Sequence, residues 1–203
     1  MEIIGPNMSI REEDAQLPFF YLLGPSKGAE PWQGKICEEL KKYIKGRFLV
    51  YYRQPTEGPA LTPAALYKGK EETKHIPQVR LEMRLQMHAG IGCPHGCIIS
   101  WLPIEKVGSP RADGQQYGCD TSRVLGEWFT RIERKLEIHF AWGGDSHYPG
   151  LDEMYQVTHE LYGDKMELPH YGNLENIVLH AVHVSVGRSS TVRIRELLRL
   201  TSY

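Results

Sequence analysis

Cys97-Ile98-Ile99-Ser100-Trp101-Leu102-Pro103 is a nearly unbroken apolar run closed by proline. After a long polar loop, Asp120-Thr121-Ser122-Arg123-Val124-Leu125-Gly126-Glu127-Trp128 begins a different pattern. A run so short, with so little polar interruption, reads as a strand buried on both faces. Val124, Leu125, Trp128, Phe129 and Ile132 share one helical face, so the segment from Thr121 to Arg134 reads as an amphipathic helix. Asp120, Thr121 or Ser122 is placed to cap it. A doubly buried strand feeding a one-sided helix is half of a βαβ unit, and the question is whether the unit repeats.

It repeats in both directions. Upstream, Phe19 to Leu23 is a short apolar strand stopped by Gly24-Pro25. Trp32 to Lys45 puts Ile36, Leu40, Tyr43 and Ile44 on one helical stripe, and Arg47 to Tyr52 is a second strand. A Pro/Gly-rich loop then reaches Thr62-Pro63, a cap and first-turn proline that predict a short helix. Gln78 to His88 alternates as a strand would, but its Leu, Met, Glu, Arg and Gln content favours helix, the assignment adopted. Downstream, Leu136 to Trp142 reads as a fourth strand and Leu151 to Tyr162 as a helix. Ile177 to Val186 reads as a fifth strand and Thr191 to Leu200 as a closing helix.

Strands alternating with helices at these spacings predict an α/β fold: one flavodoxin-like domain with a five-stranded, mainly parallel sheet and helices on both faces. The expected strand order is 2-1-3-4-5, with residues 1–16 as an N-terminal extension and 17–203 as the domain. Ligands of such sheets bind beyond the carboxyl ends of the strands, where the winding reverses. The connections from Gly24 to Pro31 and from Pro103 to Cys119 are expected to face each other there.

Composition narrows the function classes. Over 203 residues, 24 Lys and Arg against 25 Asp and Glu leave a formal net charge of -1, so bulk nucleic acid is not an expected partner. No apolar run approaches the roughly 20 residues that span a bilayer, and Met1 to Gln16 is too polar for a signal peptide. The expectation is a soluble, cytoplasmic protein without a membrane partner. Four cysteines are too few for a disulfide scaffold. Cys93-Pro94-His95-Gly96-Cys97 contains zinc-type ligands, but at an unusual spacing and without a second pair, so a tight turn is preferred to a metal site. The Gly24–Pro31 loop is neither a Walker loop nor a dinucleotide fingerprint, and no cofactor is expected.

Several segments, in order, resemble the nucleoside 2-deoxyribosyltransferase family. They are Gly24-Pro25 with a loop leading to Trp32-Gln33, Tyr52-Arg53-Gln54-Pro55, Gln78-Val79-Arg80-Leu81-Glu82, Ser100-Trp101-Leu102-Pro103, Val124-Leu125-Gly126, and Gly143-Gly144-Asp145-Ser146-His147-Tyr148. The likeness runs from about Phe19 to about Leu161. It implies binding of a nucleoside or nucleotide, chemistry at its N-glycosidic bond, and homo-oligomerisation. In the family a glutamate in the first turn of the helix attacks the anomeric carbon, as a retaining glycosidase does. Here Val124 stands at that place. If catalysis persists, Glu82, Asp120 or Glu127 must supply the carboxylate. Gly24, Ser26, Lys27, Trp32, Arg53 and His147 are the candidate ligand contacts, and Lys27 and Arg53 suit a phosphate. The other expectation is a silent nucleotide-binding sensor or regulatory protein without the nucleophile.

Overall fold

The computed structural model describes residues 1–4, 10–26, 28–53, 81–106, 117–133, 138–162 and 170–186. Among them six strands form one sheet: β1 (Glu2–Ile4), β2 (Phe19–Leu23), β3 (Leu49–Tyr52), β4 (Gly96–Leu102), β5 (Phe140–Gly144) and β6 (His170–Tyr171). The helices are α1 (Trp32–Tyr43), α2 (residues 81–87, running into a π-turn at His88–Gly92), α3 (Cys119–Glu133), α4 (Leu151–Tyr162) and α5 (Leu174–Val186). Among the described residues no helix is long and apolar enough to cross a membrane.

The sheet order is β1-β3-β2-β4-β5-β6 and every pairing is parallel. Without β1 this is the expected 2-1-3-4-5 of a flavodoxin-like domain. The chain steps outward from β2 to β3, then returns past β2 to begin β4, so the winding reverses between β2 and β4. All five residues of β2 and all seven of β4 are buried, as their apolar runs demand.

Side-chain alternation sorts these strands onto two faces. Phe19, Tyr21, Leu23, Ile98 and Leu102 pack with Leu85 of α2, with Leu125, Trp128 and Phe129 of α3, and with Leu151 of α4. Phe20, Leu22, Cys97 and Ile99 pack with Trp32, Ile36 and Leu40 of α1 and with Ile177, Val178 and Ala181 of α5. Trp101 and Trp128 are core residues, as read from the sequence.

Three sequence expectations change. Ile177 to Val186 is not the fifth strand but most of α5, with Ile177, Val178, Ala181 and Ser185 buried at helical spacing. Asn173 starts it, its Oδ1 accepting from the Asn176 amide at 2.8 Å. His180 and His183 therefore lie on a helix. The fifth strand is the two-residue β6, paired with Trp142 and Gly143. The extension contributes β1, an added edge beside β3, while buried Asp14 is gripped by Arg11 Nε at 2.6 Å and by an Arg47 guanidinium nitrogen at 2.9 Å. Finally, α3 begins at Cys119, so Asp120, Thr121 and Ser122 lie inside its first turn. The lead-in is Gly118, at φ 70, whose carbonyl accepts from the Ser122 amide at 2.9 Å. The helices expected near Thr62-Pro63 and over Thr191–Leu200 lie outside the described residues.

Candidate functional site

The connections leaving β2 and β4 do meet. Ala29 and Glu105 form an isolated antiparallel bridge, and the Lys106 amide donates to the Gly28 carbonyl at 2.6 Å. The seam is occupied by aromatic side chains. Tyr117 and Tyr148 are buried with ring centroids 5.8 Å apart, and the Tyr117 hydroxyl donates to the Pro103 carbonyl at 2.9 Å. A Cβ on Gly118 would run into the Tyr148 hydroxyl and reach Pro25 Cγ at 3.4 Å. Packing of this kind joins the loops tightly, and the described polar groups gather one strand further along.

There, on the α2–α3 face, Tyr21 of β2 and Tyr51 of β3 are register partners with stacked rings, 5.1 Å between centroids. The Tyr51 hydroxyl donates to Glu82 Oε1 at 3.3 Å. Arg53, the residue after β3, brings its Nε to 4.0 Å from the same oxygen. The Glu82 side chain is only 16% exposed, whereas that of Arg53 is 55% exposed. Gln86, one turn along α2, donates from Nε2 to the Tyr21 hydroxyl at 3.2 Å and accepts from Trp128 Nε1 at 3.1 Å. Burial first, and the Glu82 charge second, push the Tyr21 phenol far above its ordinary pKa, so it stays protonated.

This arrangement also locates Val124. Helices α2 and α3 lie on the same face and both return from the carboxyl edge of the sheet. Gln86 on α2 and Trp128 on α3 tie them together, and Glu82 and Val124 each lie one turn earlier on their own helix. Val124 is partly buried and packs against that face's core. On the same face, Ser100 lies in β4 between Ile98 and Leu102, fully buried, its hydroxyl without a hydrogen-bond partner among the described residues.

The structure therefore separates the candidates read from the sequence. Glu82 and Arg53 come together. Glu127 points to solvent, 45% exposed, and pairs with Arg123 at 2.8 Å. Asp120 is exposed in the first turn of α3. His147 is exposed after β5, its amide donating to Asp145 Oδ1 at 3.1 Å in a turn. Ser26 is half-buried in the loop after β2, and Lys27 lies outside the described residues.

Trp32 is not a base-stacking surface. It is 2% exposed on the α1–α5 face, and its Nε1 donates to the Pro25 carbonyl at 2.8 Å. Gly24 is explained by packing as well: a Cβ there would run into the Trp101 carbonyl oxygen and lie 2.6 Å from the Trp32 ring.

Cys93, His95 and Cys97 go separate ways at the opposite end of β4. The Cys93 thiol points at the Leu17 carbonyl at 3.5 Å, and His95 Nδ1–H donates to Ser185 at 2.9 Å. Cys97 is buried under α1 and α5, and its burial raises the thiol pKa well above the ordinary range. Among the described residues no three His, Cys, Asp or Glu side chains are grouped to hold a metal ion.

Tyr21, Tyr51 and Gln86 escaped the sequence reading. Two signals were present: tyrosines at same-face positions of two buried strands, and Gln86 four residues after Glu82. No protein-family model matches this chain, and a search of curated proteins likewise found no match.

Proposed function

We propose that the protein binds a nucleoside or nucleotide over the carboxyl ends of β2 and β3 and acts on its N-glycosidic bond, by cleavage or transfer, with Glu82 as the working carboxylate. The observation that carries this is the enclosure of Glu82. Of the three candidate carboxylates it alone is largely shielded from water and joined to a phenol and a guanidinium. A carboxylate so placed can act as nucleophile or as general base, and low solvent access strengthens its action on a developing sugar cation. Tyr51 and Arg53 hold it in one orientation. In the same reading the protein is cytoplasmic and self-associates, which size-exclusion chromatography with light scattering checks.

The test is release of free base from a panel of deoxynucleosides and their 5′-monophosphates, resolved by chromatography. Wild type releases base from at least one member, and Glu82→Gln lowers the rate by about two to four orders of magnitude, the range of a lost acid–base group. Unchanged release by Glu82→Gln removes Glu82 from the mechanism.

A second reading rests on Val124. An apolar side chain packed against the core stands in the second turn of α3, and Glu127 faces away. A silent nucleotide-binding sensor would look the same there. Stabilisation of wild type by a panel member without base release, and release gained by Val124→Glu, is the result that reading expects.

A further inference from the structure

We infer that Gln86, held by Trp128, is a positioning residue that keeps the Tyr21 hydroxyl free to donate its hydrogen to an acceptor atom of the bound ligand. The inference rests on the proposed nucleoside or nucleotide reading and adds the direction of one hydrogen bond within that site.

An indole Nε1–H can only donate. Its partner at 3.1 Å on Gln86 must therefore be the amide oxygen, which fixes which way the amide lies. The NH2 end then faces Tyr21, where Nε2 stands 3.2 Å from the hydroxyl and must donate to it. The Tyr21 oxygen is thereby an acceptor, and its own hydrogen needs a different partner. Among the described residues the Tyr21 hydroxyl is bonded to Gln86 alone, while the neighbouring Tyr51 hydroxyl gives its own hydrogen to Glu82 Oε1. Tyr21 is 3% exposed, so bulk water does not supply the acceptor freely. Burial keeps the phenol protonated, which preserves the donor at neutral and mildly alkaline pH. A buried donor without an acceptor among the described residues, beside an enclosed carboxylate, suits an oxygen or nitrogen lone pair on a sugar or base.

The experiment has two arms. In the first, without ligand, tyrosine is labelled at 13Cζ and the Tyr21 resonance is assigned by its loss in Tyr21→Phe. Gln86→Glu replaces the NH2 donor by a carboxylate that accepts from both Trp128 and Tyr21. The Tyr21 resonance is expected to move downfield, as its hydroxyl switches from accepting to donating at that end. Should Gln86→Glu fail to fold, Trp128→Phe releases the amide to turn over and is expected to move the same resonance. An unmoved resonance in the folded variant overturns the inference.

In the second arm, calorimetry measures binding of the deoxynucleoside and 5′-monophosphate panel. Tyr21→Phe and Gln86→Glu are each expected to weaken binding about tenfold, the scale of one hydrogen bond to a ligand, with melting temperatures near wild type. Wild-type affinity in both variants overturns the inference and leaves the proposed function standing. A wild type that binds no member overturns the proposed function and, with it, the ligand role given to Tyr21; the first arm then decides only the direction of the Gln86–Tyr21 bond.

Discussion

Glycine at position 24 and tryptophan at position 32 show how a residue type can point to the wrong partner. A Gly-Pro turn followed by Trp-Gln suggested a ligand cradle, because glycine admits close approach and indole stacks on bases. The approach is real, but the neighbour is the protein: the Trp32 ring and the Trp101 carbonyl fill the space a Cβ would take. Gly24→Ala is expected to destabilise the fold by about 2–3 kcal/mol, the scale of overpacking a filled site, read from urea denaturation at constant m-value. A cost below about 0.5 kcal/mol, typical of an open surface site, would contradict the packing account. Glu82 and Arg53, which the structure brings together, were legible as candidates because both are polar residues beside buried segments. Tyr21 and Tyr51 were not, since inside an apolar run a tyrosine counts as one more hydrophobe until its hydroxyl is seen to bond.

At the scale of elements, short buried runs were read well and β-branched helices were not. β2, β3 and β4 fall where their apolar runs placed them, and α4 matches its expected span residue for residue. The segment from Ile177 to Val186 misled because its isoleucine and valines favour strand, and because a helix buried along much of its length shows weak amphipathic periodicity. The corrective signal was Asn173, a capping residue just before the run. Asn173→Ala is expected to cost about 1 kcal/mol, measured as a lower denaturation midpoint. An unchanged midpoint would mean that packing against β4, β5 and α1 alone sets the start of α5. β6 was invisible for a simpler reason: two residues carry no period.

For the molecule as a whole, the strand order was legible because crossover handedness and the rhythm of alternating elements leave few alternatives, while the added edge strand β1 carried no comparable signal. Global stability should fall in mild acid. Burial, with His183 contributing second, depresses the His180 pKa to about 4, and burial also lowers that of His88. An unfolded histidine titrates near its ordinary value, so between about pH 6.5 and 4 the unfolded chain binds more protons. The contribution is complete above that window and lost as pH falls through it, up to about 3 kcal/mol for His180. Denaturation midpoints at pH 7 and pH 5 should differ in that direction, and His180→Gln should reduce the difference. An equal difference in the variant would exclude His180 as the source.

Everything proposed for the site turns on whether a nucleoside or nucleotide is held over the carboxyl ends of β2 and β3, against Glu82. The most direct measurement is a crystal structure grown with whichever deoxynucleoside or 5′-monophosphate binds most tightly. Ligand density is expected with a sugar or base atom within hydrogen-bond distance of Glu82. Density elsewhere, with the contacts of Glu82 to Tyr51 and Arg53 undisturbed and no ligand atom near them, would contradict it.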